Sequence, residues 1–453
     1  MIVAVGIFIS TLDGSILNIA NPSIAAEFKV SMEQVEWVVT AYLLVITSSL
    51  IFFGRLGDKV GSHKIYTYGF LIFTLGSLGC SLARALPMLI AARMFQGVGA
   101  SMMMATGIGI VSNTFPSGER GKALGLTGTA VAMGNMLGPG LGGLILAKLA
   151  WSWIFLINVP LGLLGFLLGR RYLPAQDLNP EIRSYDLRGT LLLAATVTTL
   201  LMALASTPNL NFLLLLASGL LLAGFYLWER QATCPLLDFS LFKVKTFVHG
   251  NWAAVVVYFT QTSVFFLLPF YMEIILGYTP ARTGLLMTIT PVSMAVAAPL
   301  AGYLSDKVGS SRIIAVSFLL LTISYLLLSR LDDGQPQLLI CTGLICLGVG
   351  MGMFGSPNTS SILGAIPRHK AGYGGGFMAT NRNLSFSLGI TCAVALFSWT
   401  LNQSQSLLPF QLAYIRASHL IYLSAAVVTG MALMLWLLVQ IRGSASVANR
   451  SGG

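Results

Sequence analysis

Charge is the scarcest feature of this sequence. Only 9% of its 453 residues are Asp, Glu, Lys or Arg, where a soluble domain carries about 25%. So few charges cannot clothe the water-facing surface of a chain this long, which excludes a soluble globular protein. Cysteine is sparse as well. Cys80, Cys234, Cys341, Cys346 and Cys392 form no CxxC pair, so they read as small buried hydrophobes rather than redox or metal groups. The four histidines are scattered without metal-ligand spacing, and no metal or other cofactor is implied. Long polar stretches are also missing. The two most extended connections, near Arg170–Asp186 and Glu229–Lys245, are too short for a catalytic domain, which sets aside a membrane enzyme or scaffold.

What remains is apolar. Hydrophobic residues make up 55% of the chain, in continuous runs of about 20 residues that match a bilayer core of about 30 Å. The runs do not alternate, so they predict helices and not a barrel. Fourteen helices are expected, over 2–25, 35–55, 64–83, 87–113, 121–147, 151–171, 188–206, 210–228, 246–274, 283–304, 312–329, 337–363, 373–401 and 419–441. No cleavable signal peptide is visible, and the first helix is expected to direct insertion. The net charge of +11 does not point to nucleic acid. With a cytoplasmic N-terminus, Lys and Arg favour the cytoplasmic side by roughly three to one, as the positive-inside rule requires. Both termini are then cytoplasmic.

The chain repeats itself. GRLGDKVGSHKI at Gly54–Ile65 returns as GYLSDKVGSSRI at Gly302–Ile313, 248 positions later, and GVG at Gly97–Gly99 returns at Gly348–Gly350, 251 positions later. Two matched regions in the same order define two related halves. Residues 1–173 form a six-helix half, 174–245 a linker with two additional helices, 246–442 a second six-helix half and 443–453 a tail. Parallel halves around a midplane pathway are a transporter architecture.

Six segments carry a family resemblance: LDGSILNIANPSI at Leu12–Ile24, GRLGDKVGSHKI at Gly54–Ile65, LIAARMFQGVGA at Leu89–Ala100, GNMLGPGLGG at Gly134–Gly143, WIFLINVPLG at Trp153–Gly162 and LPFYMEIILGYTPARTGLL at Leu268–Leu286. In this order they resemble the major facilitator superfamily, and within it the fourteen-helix drug:proton antiporter branch. The resemblance implies an all-α polytopic membrane protein of the plasma membrane. It would export lipophilic, possibly cationic compounds by alternating access, driven by protons. Lipid flipping and proton-coupled nutrient symport are the alternatives on the same fold. The implied partners are a small lipophilic molecule, protons and membrane lipids, and the protein is expected to be a monomer.

Asp13 is the one acid that hydropathy places near the membrane's middle. Lost hydration there favours the neutral acid and makes protonation accessible near neutral pH. The resemblance gives it a proton-coupling role, with Arg93 as its expected partner and Gln96, one turn on, extending the network. At the offset of the loop phrases Asp13 aligns with the neutral Gln261, which confines the coupling to the first half. Glu273 is either a second proton site or a rim carboxylate. Gly134, Gly138, Pro139, Gly142 and Gly143 allow close packing and a bend in the fifth helix, and the resemblance reads them as the antiporter motif. Gly54, Gly57, Asp58 and Lys64, with Asp306 and Arg312 in the second copy, are expected to form a cytoplasmic latch. Ser62 and Ser310 stand where the family usually has a basic residue, which weakens that latch. Met102, Met103, Met353, Phe265 and Tyr271 are soft or aromatic residues expected to line a substrate cavity with Gln96 and Gln261. Arg382 resembles a basic residue of the branch and is a candidate anion or substrate contact.

Overall fold

A computed structural model describes the chain except for residues 115–119, 174–185, 206–210, 233–235, 237, 333, 335–336, 368–370 and 452–453. Cys234 and the boundary following residue 173 adjoin or fall in these gaps. The side chain of Asp58 also lies outside the described residues. Helices occupy all fourteen predicted intervals. They are α1 Ile2–Phe28, α2 Met32–Val60, α3 Ser62–Ser81, α4 Leu86–Thr114, α5 Arg120–Lys148, α6 Trp153–Leu156, α7 Asn158–Tyr172, α8 Leu187–Ala205, α9 Phe212–Glu229, α10 Lys245–Phe270, α11 Pro280–Met287, α12 Ile289–Val308, α13 Ser310–Leu328, α14 Gln337–Gly364, α15 Ala371–Gln405 and α16 Phe410–Ser451. Among the described residues, eleven helical spans are long and apolar enough to cross a membrane, some of them joining two of these helices; α2, α3 and α5 lie outside that set.

The turns follow local chemistry. Lys29 ends α1 in the left-handed region at φ 53°, and Ser31 opens α2 with a capping box completed by Gln34. Thr279 caps α11 ahead of Pro280, whose missing N–H costs nothing at the first helical position.

The repeat is visible as geometry. The glycine of each DKVGS phrase turns the chain at positive φ, 108° at Gly61 and 91° at Gly309, a region that a Cβ disfavours. Each GVG works the same way in its own half. The first glycine faces the second helix of the half: a Cβ on Gly97 would lie 3.0 Å from the Tyr42 carbonyl oxygen, and one on Gly348 would lie 2.3 Å from that of Thr290. The third glycine faces the third helix, Gly99 against Phe73 on α3 and Gly350 against Leu321 on α13.

A Cβ on Gly99 would sit 2.3 Å from the Phe73 nitrogen and 2.7 Å from the Gly69 carbonyl oxygen. Backbone cannot swing aside as a side chain can, so Gly99→Ala is expected to force α3 from α4. Overpacking of this kind costs about 1–3 kcal/mol. The expected outcome is a lowered thermal midpoint for the detergent-purified protein, measured beside Gly109→Ala, where a Cβ meets nothing within 4 Å.

Of the two inserted helices, α8 packs against both halves and α9 packs on α8. Val197 and Leu201 of α8 pack with Leu44 and Trp37 of α2 and with Leu384 and Leu388 of α15.

Candidate functional site

Five helices of the first half converge on Asp13. It stands in the middle of α1, 2% exposed. Arg93 and Gln96 project from adjacent turns of α4, both fully buried, as a spacing of three on a helix requires. Arg93 Nη1 donates to Asp13 Oδ2 at 2.6 Å and to Gln96 Oε1 at 2.6 Å. Gln96 is thereby oriented so that its Nε2 donates to Asp13 Oδ1 at 2.9 Å and to Ser77 Oγ of α3 at 2.8 Å. Ser77 in turn donates to the Phe73 carbonyl. Asn158, the first residue of α7, donates to Asp13 Oδ1 at 2.7 Å. Arg93 Nε donates to the Val38 carbonyl of α2 at 3.1 Å, and its guanidinium lies 3.9 Å from the Tyr42 ring centre, a cation–π contact.

This is a closed charge network. Asp13 accepts three hydrogen bonds, one of them from a guanidinium. Arg93 has a counter-ion, two carbonyl-type acceptors and an aromatic face. An arginine does not release its proton in a protein, and breaking a buried pair of this kind by neutralising one partner costs about 3–5 kcal/mol. The second half has no such pair, because Gln261 and Leu344 stand at the corresponding positions. Gln261 is buried, and its Oε1 has no hydrogen-bond partner among the described residues.

The fifth-helix glycines have two sets of contacts. A Cβ on Gly134, Gly138 or Gly142 would run into Thr11, Ser15 or Ile16 of α1, at 2.9 Å, 1.8 Å and 3.3 Å for the nearest atoms. Ser15, two residues from Asp13, donates to the Gly134 carbonyl at 2.9 Å. On the other side, Pro139 and Gly143 meet α11 of the second half. A Cβ on Gly284 would lie 2.3 Å from the Pro139 carbonyl oxygen, and one on Gly143 would lie 2.6 Å from that of Pro280. The α5 helix therefore touches the helix that carries Asp13 and the opposite half at once.

Several expectations are corrected by packing. Met102 and Met103 crowd over Gly69 of α3, and Met103 belongs to the apolar core of the first half. Both are buried in that packing. Tyr271 is fully buried in the second half, and its hydroxyl donates to the Asp332 carbonyl at 2.7 Å; it anchors a loop. Gln96 is consumed by the charge network. Phe265, Met353 and Arg382 are half-buried, and Arg382 lies within electrostatic reach of Tyr258 on α10. Glu273 sits in a π-helical turn, Tyr271–Ile275, that follows Pro269. Its Oε1 is buried with no hydrogen-bond partner among the described residues.

In the loop phrases, Gly57 permits contact with Thr106 of α4 at 2.6 Å from a notional Cβ, and Gly54 approaches Ala105. Lys64, Asp306 and Arg312 are exposed, and Asp306 makes no ion pair among the described residues.

Three functional-looking residues escaped sequence reasoning. Ser77 and Asn158 are lone polar groups in apolar runs, a weak signal that was present. Glu36 is a second acid in the core, 2% exposed. It lies one turn inside α2, which begins at Met32, close to the start of the predicted interval at residue 35.

Comparison with known proteins agrees with this geometry. The sequence profile of the Major Facilitator Superfamily matches residues 3–390 and again 250–452. The riboflavin transporter RibZ of Clostridioides difficile is 46% identical over 435 residues, covering 96% of this chain and 95% of that protein. The multidrug transporter protein MdtP of Bacillus subtilis is 28% identical over 401 residues, covering 87% and 74%. Among solved structures, an inward-facing bacterial homologue of the human lysosomal transporter Spinster superposes with a TM-score of 0.68 at 13% identity, covering 96% of this chain and 95% of that one. That likeness establishes the fold alone.

Proposed function

Since the chain belongs to the Major Facilitator Superfamily and is a multi-pass membrane transporter, we propose that it moves riboflavin, or a planar heteroaromatic molecule like it, in exchange for protons. The observation that carries the substrate is the identity of 46% to a riboflavin transporter across nearly the whole of both chains. The observation that supports proton coupling is the buried Asp13–Arg93 pair, whose exchangeable proton is on Asp13. Contact of α5 with both α1 and α11 supports antiport, because a change at Asp13 reaches the opposite half through one helix. The protein works in the plasma membrane with both termini cytoplasmic, by rocking of its halves about the interface, and the three helices α2, α3 and α5 complete a set of fourteen spans. It is not an enzyme, and the proton gradient is its energy source.

A second reading, export of lipophilic drugs, is supported by the multidrug relative at 28% identity. One experiment separates the two. Proteoliposomes with an acidic lumen are expected to accumulate radiolabelled riboflavin, and collapse of the gradient by an uncoupler is expected to release it. Accumulation only with acid outside would convert the reading to symport. No accumulation in either direction, with drug resistance conferred on an efflux-deficient host, would replace riboflavin by the drug reading.

A further inference from the structure

Under the positive-inside orientation, two of the contacts between the halves among the described residues lie near the outer ends of their helices. One is the α5–α11 contact, made by glycines and backbone. The other is α2 against α15, and the internal repeat makes it the counterpart of the first. At the offset of 248 positions Glu36 corresponds to Gly284, the residue that seats against Pro139 and Gly143. Where one contact has a glycine, the other has a carboxyl group.

Glu36 is buried at that contact. Its Oε1 accepts from Thr391 of α15, a hydrogen bond between the halves, and from Thr40 of α2 at 3.4 Å. Its surroundings carry no compensating charge. On α2 the nearest titratable group is another acid, Glu33. On α15 it is the Cys392 thiol beside Thr391. The α8 residues packed against this region, Val197, Leu201 and Leu193, are aliphatic. Asp13 of α1 and Arg93 of α4 pair with each other, and Arg93 holds the Val38 carbonyl instead. No cation lies within ion-pairing distance of Glu36 among the described residues. A dehydrated carboxylate without a counter-ion is costly, whereas the neutral acid can be buried against hydroxyls. Separation of α2 from α15 would admit water and remove that constraint.

We propose that Glu36 is a second proton-binding site, distinct from Asp13, whose protonation holds α2 against Thr391 of α15 and whose deprotonation releases the two halves at their outer ends. The site lies between the halves, so its proton occupancy is linked to their separation: each favours the state that favours the other. Acid on the outer side therefore stabilises outer closure. This rests on the membrane orientation given above, but not on the identity of the substrate.

The test needs no substrate. Spin labels at Ser31 and Asn402, both exposed near the outer ends of α2 and α15, report the separation of the halves in the full chain in nanodiscs. In the wild type the short-distance population is expected to fall as pH rises from about 5.5 to about 8.5. Glu36→Gln, which mimics the neutral acid, is expected to abolish that dependence and keep the short distance throughout. Thr391→Val removes the hydroxyl against which the protonated acid is held, at nearly constant volume, and is expected to move the midpoint to lower pH. This second variant also serves if Glu36→Gln fails to fold. Wild-type pH dependence in Glu36→Gln would assign the proton to another group, and either that result or an unmoved midpoint in Thr391→Val would overturn the proposal. Failure of riboflavin transport would leave both measurements unaffected.

Discussion

Asp13→Asn is expected to abolish gradient-driven accumulation of substrate while leaving passive exchange across the membrane. The amide cannot carry the exchanged proton. It also presents donors to Arg93 in place of one carboxylate oxygen, leaving a guanidinium buried without its counter-ion at a cost of about 3–5 kcal/mol. Loss of activity from misfolding must therefore be separated from loss of coupling. The double variant Asp13→Asn/Arg93→Met removes the orphaned charge, and replacing a buried pair by apolar side chains is often neutral or stabilising. It is expected to recover a thermal midpoint near that of the wild type without recovering accumulation. Both quantities are read on the same purified protein, by thermal unfolding in detergent and by counterflow and accumulation in proteoliposomes. Accumulation by the double variant would remove Asp13 from the coupling mechanism.

The second large effect is expected at the opposite interface. Gly284 seats so closely on α5 that a Cβ would lie 2.3 Å from the Pro139 carbonyl oxygen and 2.9 Å from the Gly143 Cα. Both are backbone atoms held by α5's own contacts with α1, so they cannot yield cheaply. Gly284→Val is expected to wedge the halves apart where they now meet. A penalty of about 1–3 kcal/mol on the closed arrangement shifts its population by roughly 5-fold to 150-fold. Transport should fall by a comparable factor, because alternating access needs both arrangements populated. Cross-linking between cysteines placed on α5 and α11 checks the cause, with reduced efficiency expected beside an unchanged cross-link within the second half. Full transport with an intact cross-link would show that the close approach of these helices is dispensable.

Much of this fold was legible in the sequence because membrane helices follow simple rules. Apolar runs and sparse charge predicted fourteen intervals that are helical in the structure, and two short glycine-containing phrases pointed to the repeat. Asp13 and Arg93 were legible as well, since ionisable groups in the apolar core are costly and are expected to have partners. Cavity residues were not. Met102 and Met103 have the composition of a binding surface, yet which face of α4 they occupy is settled by the glycines of α3, which draw the two helices together. Tyr271 was misread for a related reason: a loop carbonyl at Asp332, far away in sequence, satisfies its hydroxyl. Asn158 needed the tertiary structure, because nothing local shows that the start of α7 points at the middle of α1. Glu36 turned on a boundary of a few residues, the least certain quantity in reading helices from sequence.

Proton movement is the central claim, and it can be measured without inference from accumulation. Proteoliposomes containing a trapped pH indicator and no imposed proton gradient are given a riboflavin gradient directed inward. Antiport through Asp13 predicts that the lumen becomes more alkaline as riboflavin enters and protons leave, in the wild type but not in Asp13→Asn. Riboflavin entry with no change in lumenal pH would contradict it.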